Sequence, residues 1–340
     1  MKMKLRSLDY TYQRDCELVP YNEETVLGTH KKNAIRGSGT SIACTSFGSN
    51  TQVLELNNIA PVLALDTEKK ILNVSADKTL FDLYEYLTPK GFYLKSVPSH
   101  PSAKIGGCIA YNAHGQNHER DGCFCDHLLE MELFHPQHGS MTLNKKKNQD
   151  VYELTVNGFG LTGIILSAKM KVYPLSSNSV SVTRITFNTI QESYQLFMKH
   201  RGQYDFYRSW LELNYISYEK QVGFLEMAKI KDNNSFHKEK IKYKYNPNLH
   251  KKFPVNVFGT PLMRIICRLY YLIKARNHHQ EMSLFQFIHP SANKMYYFSM
   301  FGKQGLIEHQ ILIPHNHVVS YIDDFVKLLC SHKPIISLCH

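Results

Sequence analysis

Residues 98–133 read PSHPSAKIGGCIAYNAHGQNHERDGCFCDHLLEMEL, with Gly106, Gly107, Gly115 and Gly122 set among His100, His114, His118 and His127. A glycine inside a helix or strand costs roughly 0.5–1 kcal/mol relative to alanine, so such density is poor material for ordinary element interior. Adjacent glycines let a backbone approach a ligand closely, and Cys108, Ile109 and Ala110 behind them suit a backbone lying flat against a ring. The stretch predicts a site for something planar or phosphorylated.

Two further glycine stretches answer it. Upstream, Arg36-Gly37-Ser38-Gly39-Thr40-Ser41 interleaves glycines, hydroxyls and a guanidinium, which suits a nest of N–H donors for a pyrophosphate. It is not the dinucleotide fingerprint GxGxxG, because Ile42 stands where the third glycine belongs. Alone it is a weak signal that a simple turn would also explain. Downstream, residues 157–165 read NGFGLTGII.

Taken together and in this order, IRGSGTS, VPSHPSAKIGGCIAYNAHGQNHERDGCF and NGFGLTGII resemble the FAD-binding domain of the vanillyl-alcohol oxidase and p-cresol methylhydroxylase (PCMH-type) superfamily. The HGxNHxxDG run is most similar to decaprenylphosphoryl-ribose oxidase-like proteins. The resemblance is close over about residues 30–175 and thinner beyond. It implies an α+β chain: a PCMH-type FAD-binding domain of two α/β subdomains over 1–175, then an antiparallel-sheet substrate domain over 176–340.

The same resemblance implies that residues 36–41 cradle the pyrophosphate, while Gly106, Gly107, Ala110, Ala113 and His114, with Gly160, Gly163 and Ile164, line the flavin. Relatives with covalent flavin carry a histidine directly after the RGxG glycine. Thr40 stands there in this chain, which implies non-covalent FAD. His114 falls on the active-site histidine of the family's HGKNH motif, but Gln116 replaces its lysine and can neither carry a cation nor act as a base. Residues 301–310, FGKQGLIEHQ, resemble the family's YGxxGFxQYQ strand; Gln310 keeps one glutamine and Glu308 replaces the other. Alternate strand residues share a face, so Glu308 and Gln310 can point into one pocket, and with His114 and Gln116 they are the candidate catalytic residues that the resemblance implies.

By resemblance the activity is oxidation of a secondary alcohol on a sugar, polyol or lipid-phosphate-linked sugar by hydride transfer to the flavin. Aldonolactone or alditol oxidation is one alternative, and a catalytically impaired flavin-binding protein another. A partner reductase, as in related two-enzyme epimerase systems, is a further implication.

Short β-type runs at Val53–Leu56 and Ile71–Val74 precede a helix over residues 79–87, where Leu80, Leu83, Tyr84 and Leu87 keep helical spacing and Thr79 can cap. Residues 128–135 and 140–143 read as a hairpin, and 151–156 and 164–172 as strands. Pro174 and the serine-rich run after it mark the boundary between the domains. Beyond it, strands are expected over 180–187, 206–213, 222–228 and 307–313, and helices over 191–200 and 318–329.

A net charge of +11 favours anionic partners, and no reader motif points to nucleic acid. Eight irregularly spaced cysteines and no signal peptide at the N-terminus predict reduced thiols in the cytoplasm. His118, Cys123, Cys125 and His127 are zinc-ligand types, but one residue separates the thiols of CFC where structural sites keep two to four, so no metal is expected. Residues 230–252 carry seven lysines and two acids and read as a mobile basic insert. Residues 261–273, PLMRIICRLYYLI, place Arg264 and Arg268 one turn apart, the pattern of a basic amphipathic helix resting on anionic lipid; a core helix with two surface arginines is the other reading. Ile335–Leu338 reads as the opening of a strand, and because the resembling family continues through further strands, the substrate domain is expected to be C-terminally truncated.

Overall fold

The computed structural model describes residues 2–27, 32–41, 46–56, 59, 61–233, 236, 241–243, 255–256, 261–276, 278–290, 292, 296–301 and 306–339. The chain opens with β1 (Lys2–Arg6), β2 (Gln13–Pro20), α1 (Glu23–Leu27), β3 (Lys32–Arg36) and β4 (Thr51–Glu55), whose strands form one sheet in the order β1-β2-β4-β3. β3 and β4 pair in parallel. Parallel neighbours need a long return connection, and the RGSGTS loop leaves the end of β3 where that connection begins.

A second sheet, β5-β6-β10-β8-β9, is built from β5 (Leu63–Asp66), β6 (Ile71–Ser75), β8 (Leu128–His135), β9 (Gly139–Leu143) and β10 (Ile164–Lys171), with antiparallel pairing throughout. α2 (Leu80–Leu87) follows β6 and starts as the sequence predicts: the Thr79 hydroxyl accepts from the Asp82 N–H at 3.1 Å while the Asp82 carboxylate accepts from the Thr79 N–H at 2.9 Å. Leu80, Leu83 and Leu87 are buried against Leu72, Val74, Met131 and Leu133 of the sheet. β7 (Phe92–Tyr93), α3 (Ile105–Ala110) and α4 (His118–Asp121) follow α2, and α3 packs into the same core.

Residues 151–156 are not the expected strand: α5 (Gln149–Thr155) occupies them. Tyr152 and Thr155 are buried three residues apart while Leu154 is 67% exposed, a helical pattern decided by Tyr152 entering the main core. β11 (Tyr173–Pro174) pairs with β7 and leads to a third main sheet, β13-β14-β12-β15, from β12 (Ser179–Phe187), β13 (Phe206–Leu211), β14 (Gly223–Ile230) and β15 (His278–Ser283), all antiparallel. α6 (Ile190–His200), α7 (Pro261–Lys274), α8 (Leu284–Ile288), α9 (Tyr296–Ser299) and α10 (Val318–His332) accompany it.

Residues 307–313 also depart from expectation. They lie in an extended segment, 306–314, that joins no ladder among the described residues, with Ile307 85% and Leu312 90% exposed. Residues 335–338 form no strand either, although the Leu211 N–H donates to the Cys339 carbonyl at 3.1 Å and Asn214 holds Ile336 by two hydrogen bonds. Most of the expected mobile insert lies outside the described residues. Tyr243 is pinned, its hydroxyl 2.5 Å from Ser102 Oγ and its ring between Phe81 and Phe285.

α8 packs against α2 and β7 through Leu284, Phe287 and Ile288. His289, at the end of α8, donates from Nδ1 to the Ser99 carbonyl at 3.0 Å and is 4% exposed. Burial lowers His289 and its neighbour His100 to about 4. Each folded-state value lies below the ordinary 6.5, so the unfolded chain protonates first on acidification. Their stability is fully present above about pH 6.5 and lost between there and about pH 4, at roughly 3 kcal/mol per histidine. The urea midpoint is expected to fall between pH 7 and 5, and to fall much less in a His100→Gln/His289→Gln variant. Parallel pH profiles would exclude the buried neutral pair.

Candidate functional site

The three glycine stretches converge on α3. The carbonyls of Ile109 and Ala110 at its C-terminal end accept the N–H groups of Asn157 (3.3 Å) and Phe159 (2.9 Å), so the third stretch caps the helix. Tyr111 joins all three: its ring meets Phe159 edge-on at 4.9 Å and its hydroxyl lies 2.9 Å from Ser41 Oγ. The expected site residues did not include Tyr111; its place directly after the IGGCIA run is the only signal it carries. Asn112, Asn157 and Phe159 all hold positive φ, at 41°, 60° and 54°. For a bulky residue such as Phe159 that conformation is costly, and its persistence marks a position over-determined by its surroundings.

The adjacent glycines of α3 do different work. A Cβ on Gly106 would meet the Ala76 Cβ at 3.2 Å, and the Gly106 N–H donates to the Ala76 carbonyl at 3.0 Å, so this glycine serves close packing on the end of β6. A Cβ on Gly107 would meet nothing within 4 Å, and the same holds for Gly160. Those two open positions, with the partly exposed Gly37, Ser38, Gly39, Thr40 and Ser41, are the surface on which the expected cradle would lie. A bound FAD would set its ring system against α3 and its pyrophosphate on the 37–41 loop.

Arg36 does not reach into this cradle. It is 6% exposed, donating from Nη1 to Ser46 Oγ (2.9 Å) and from Nη2 to the Arg6 carbonyl (3.3 Å), with Phe47 beneath its guanidinium. Gly39, at φ 68°, leaves room for that guanidinium where a Cβ would collide with it. Arg36 therefore braces the loop through Ser46 and the Arg6 carbonyl. Lys104, not among the expected residues, braces the other side: its Cβ is the nearest atom to Gly37 and its Nζ donates to the Leu56 carbonyl at 3.1 Å. Ile164 is buried among Tyr21, Leu54 and Phe134, and Ala110 and Ala113 are partly buried against the main core.

His114 and Gln310, 196 residues apart, are brought together. The Gln310 amide nitrogen lies 3.2 Å from His114 Nε2, and both side chains are exposed. Gln116 is not part of that pair. Its side-chain amide donates to the carbonyls of Phe287 and Ile288 at 3.3 and 3.4 Å, and its backbone carbonyl accepts the Tyr207 N–H at 3.1 Å, so it ties the loop to α8 and β13. Glu308 is exposed and makes no hydrogen bond or ion pair with them among the described residues.

The rest of the motif clamps the same seam. Arg120 bridges to Asp205 at 2.8 Å, and Asp121 accepts from Lys95 (2.7 Å), Arg120 (2.8 Å) and Asn117 (2.9 Å). Burial alone would raise the Asp121 carboxyl, but those hydrogen bonds outweigh it and hold it below its ordinary value. Cys125 donates to the Ile109 carbonyl and His127 meets the Tyr173 hydroxyl, and no described group of three His, Cys, Asp or Glu is placed to hold a metal ion.

The sequence is similar to known proteins. Residues 27–142 match a family model described as an FAD binding domain. The chain is 23% identical over 291 residues to decaprenylphosphoryl-beta-D-ribose oxidase of Mycolicibacterium smegmatis, covering 81% of this chain and 63% of that protein. It is 28% identical over 142 residues to mitochondrial L-galactono-1,4-lactone dehydrogenase of Brassica oleracea, covering 42% of this chain and 24% of the relative. A mitochondrial D-lactate dehydrogenase of Saccharomyces cerevisiae is 24% identical over 55% of this chain and 30% of its own length. The chain thus spans less than two thirds of each of these relatives.

Proposed function

We propose that the chain is a flavoprotein of the FAD-linked oxidase superfamily, as its match to an FAD binding domain supports, and that it oxidises a secondary alcohol of a sugar, polyol or lipid-phosphate-linked sugar. The observation that carries this reading is the His114–Gln310 pair, held beside the cradle by residues far apart in sequence. Bound flavin would supply the two-electron acceptor for such an oxidation. His114 is the group proposed to take the hydroxyl proton at Nδ1, with its Nε2–H donating to the Gln310 side-chain oxygen at 3.5 Å so that Nδ1 keeps its lone pair. Gln310 offers a hydrogen-bonding amide to neighbouring sugar hydroxyls. Arg36, Lys104 and Tyr111 keep the cofactor loops in place, and Gln116 with Arg120 keeps α8 and β13 over the site. Thr40 carries no nucleophile able to form a histidyl link, which supports non-covalent FAD.

Aldonolactone oxidation is the second reading, because lactone dehydrogenases are among the relatives. Those matches extend over only 42% of this chain, about the length of a flavin domain, whereas the match to the ribose oxidase extends over 81%. Substrate choice belongs to the second domain, so the longer match favours the sugar alcohol.

The test is anaerobic mixing of the purified yellow protein with sugar alcohols, lipid-phosphate sugars and aldonolactones, following the flavin absorbance. Bleaching by a sugar alcohol is expected, slowed about a hundredfold by His114→Ala and less by Gln310→Ala, with FAD set free by acid. Bleaching by lactones alone would select the second reading. No bleaching by any of them would leave a flavin-binding protein without this activity, and flavin retained on the acid-denatured chain would overturn the non-covalent assignment.

A further inference from the structure

α7 turns an apolar stripe away from the protein. Met263 and Cys267 are buried against Phe301, and Tyr270 leans on Trp210. Leu262, Ile265, Ile266, Leu269, Leu272 and Ile273 are instead 37–67% exposed. At about 100° per residue these six fall within an arc of roughly 120°, on a side of the helix the core does not use. An ordinary surface helix keeps its polar residues there, so the residue pattern is inverted.

Charge identifies what fits the stripe. α7 contains Arg264, Arg268 and Lys274 and no acidic residue. Arg264 and Arg268 run along one flank; Arg264 donates to the Lys333 carbonyl at 2.9 Å and Arg268 lies over Tyr271, so neither charge is neutralised by a described carboxylate. A second copy docking stripe to stripe would bring these like charges together. An anionic lipid surface satisfies both features, taking aliphatic side chains among its acyl chains and guanidinium groups among its headgroups. At 14 residues α7 is about 21 Å long, too short to span a bilayer and suited to lying in its plane.

We propose that α7 is a membrane-surface helix that seats the protein on an anionic bilayer through Leu262, Ile265, Ile266, Leu269, Leu272 and Ile273. The structure divides the apolar residues of α7 into a buried side, Met263 and Cys267, and this free one.

The test is flotation of the full-length, FAD-loaded chain with vesicles of phosphatidylcholine alone and of phosphatidylcholine with one third phosphatidylglycerol. Binding is expected to the anionic vesicles, to weaken steeply by about 0.5 M salt as exposed charges are screened, and to be slight on neutral vesicles. Arg268→Glu should weaken it about 25-fold, from roughly fivefold per unit charge. Ile265→Gln/Leu269→Gln should weaken it at least about tenfold with the charge unchanged. Both variants alter surface side chains, so unchanged FAD content and far-ultraviolet dichroism check their folding. Equal binding to both vesicles, binding to neither, or a dimer that Leu269→Gln dissociates would overturn the proposal.

Discussion

Gly107→Leu is expected to yield a folded, colourless protein. The fold should survive because a Cβ at this position points into open space and because leucine is a better helix residue than glycine by most of 1 kcal/mol. If the flavin lies against the open Gly107 side of α3, the new side chain would displace it and the cofactor should be lost. Gly106→Ala should behave in the opposite way. Its Cβ would press on Ala76 at 3.2 Å, so the melting temperature falls while any folded protein stays yellow. The ratio of flavin absorbance to protein absorbance, read beside the melting temperature, separates the two. A Gly107→Leu protein with full FAD occupancy would show that the flavin does not lie over α3.

Glu226→Ala is expected to cost about 3–5 kcal/mol of stability, enough to leave much of the chain unfolded at 37 °C. Glu226 lies in β14 opposite Arg184 of β12 on one side and Arg208 of β13 on the other. Arg184 Nε donates to Oε1 at 2.9 Å and Arg208 Nε to Oε2 at 2.6 Å, and the Glu226 side chain is 4% exposed. Burial would raise its carboxyl, but the Arg208 charge and the Arg184 hydrogen bond outweigh that and hold it below its ordinary 4.5. A depressed carboxyl contributes stability that is present above about pH 4.5 and lost as pH falls further. Without it, two guanidinium groups face each other across the middle of the sheet, one stacked on Phe224 and the other on Phe287. Glu226→Gln keeps an acceptor and should cost less. Urea unfolding of the two variants decides the matter: a loss under about 1 kcal/mol for Glu226→Ala would mean the arginines find solvent or other partners.

Sequence by itself determined the features that local chemistry sets. Glycine, proline and capping residues have conformational preferences that neighbours a few positions away complete, so the Thr79 cap and the 128–143 hairpin could be read without the fold. The three glycine stretches were legible as well, and the FAD they imply came from their resemblance to a family rather than from local chemistry. Tertiary structure decided what depends on a distant partner. Residues 151–156 have the composition of a strand but become a helix because Tyr152 and Thr155 find burial at helical spacing. Residues 307–313 alternate like a strand yet join no ladder among the described residues. Arg36 and Gln116 have side chains long enough to point either way, and the carbonyls of Arg6, Phe287 and Ile288 turned them from ligand to scaffold. Periodicity divides α7 into faces, but which of them meets the protein follows from where Phe301 and Trp210 come to rest against it.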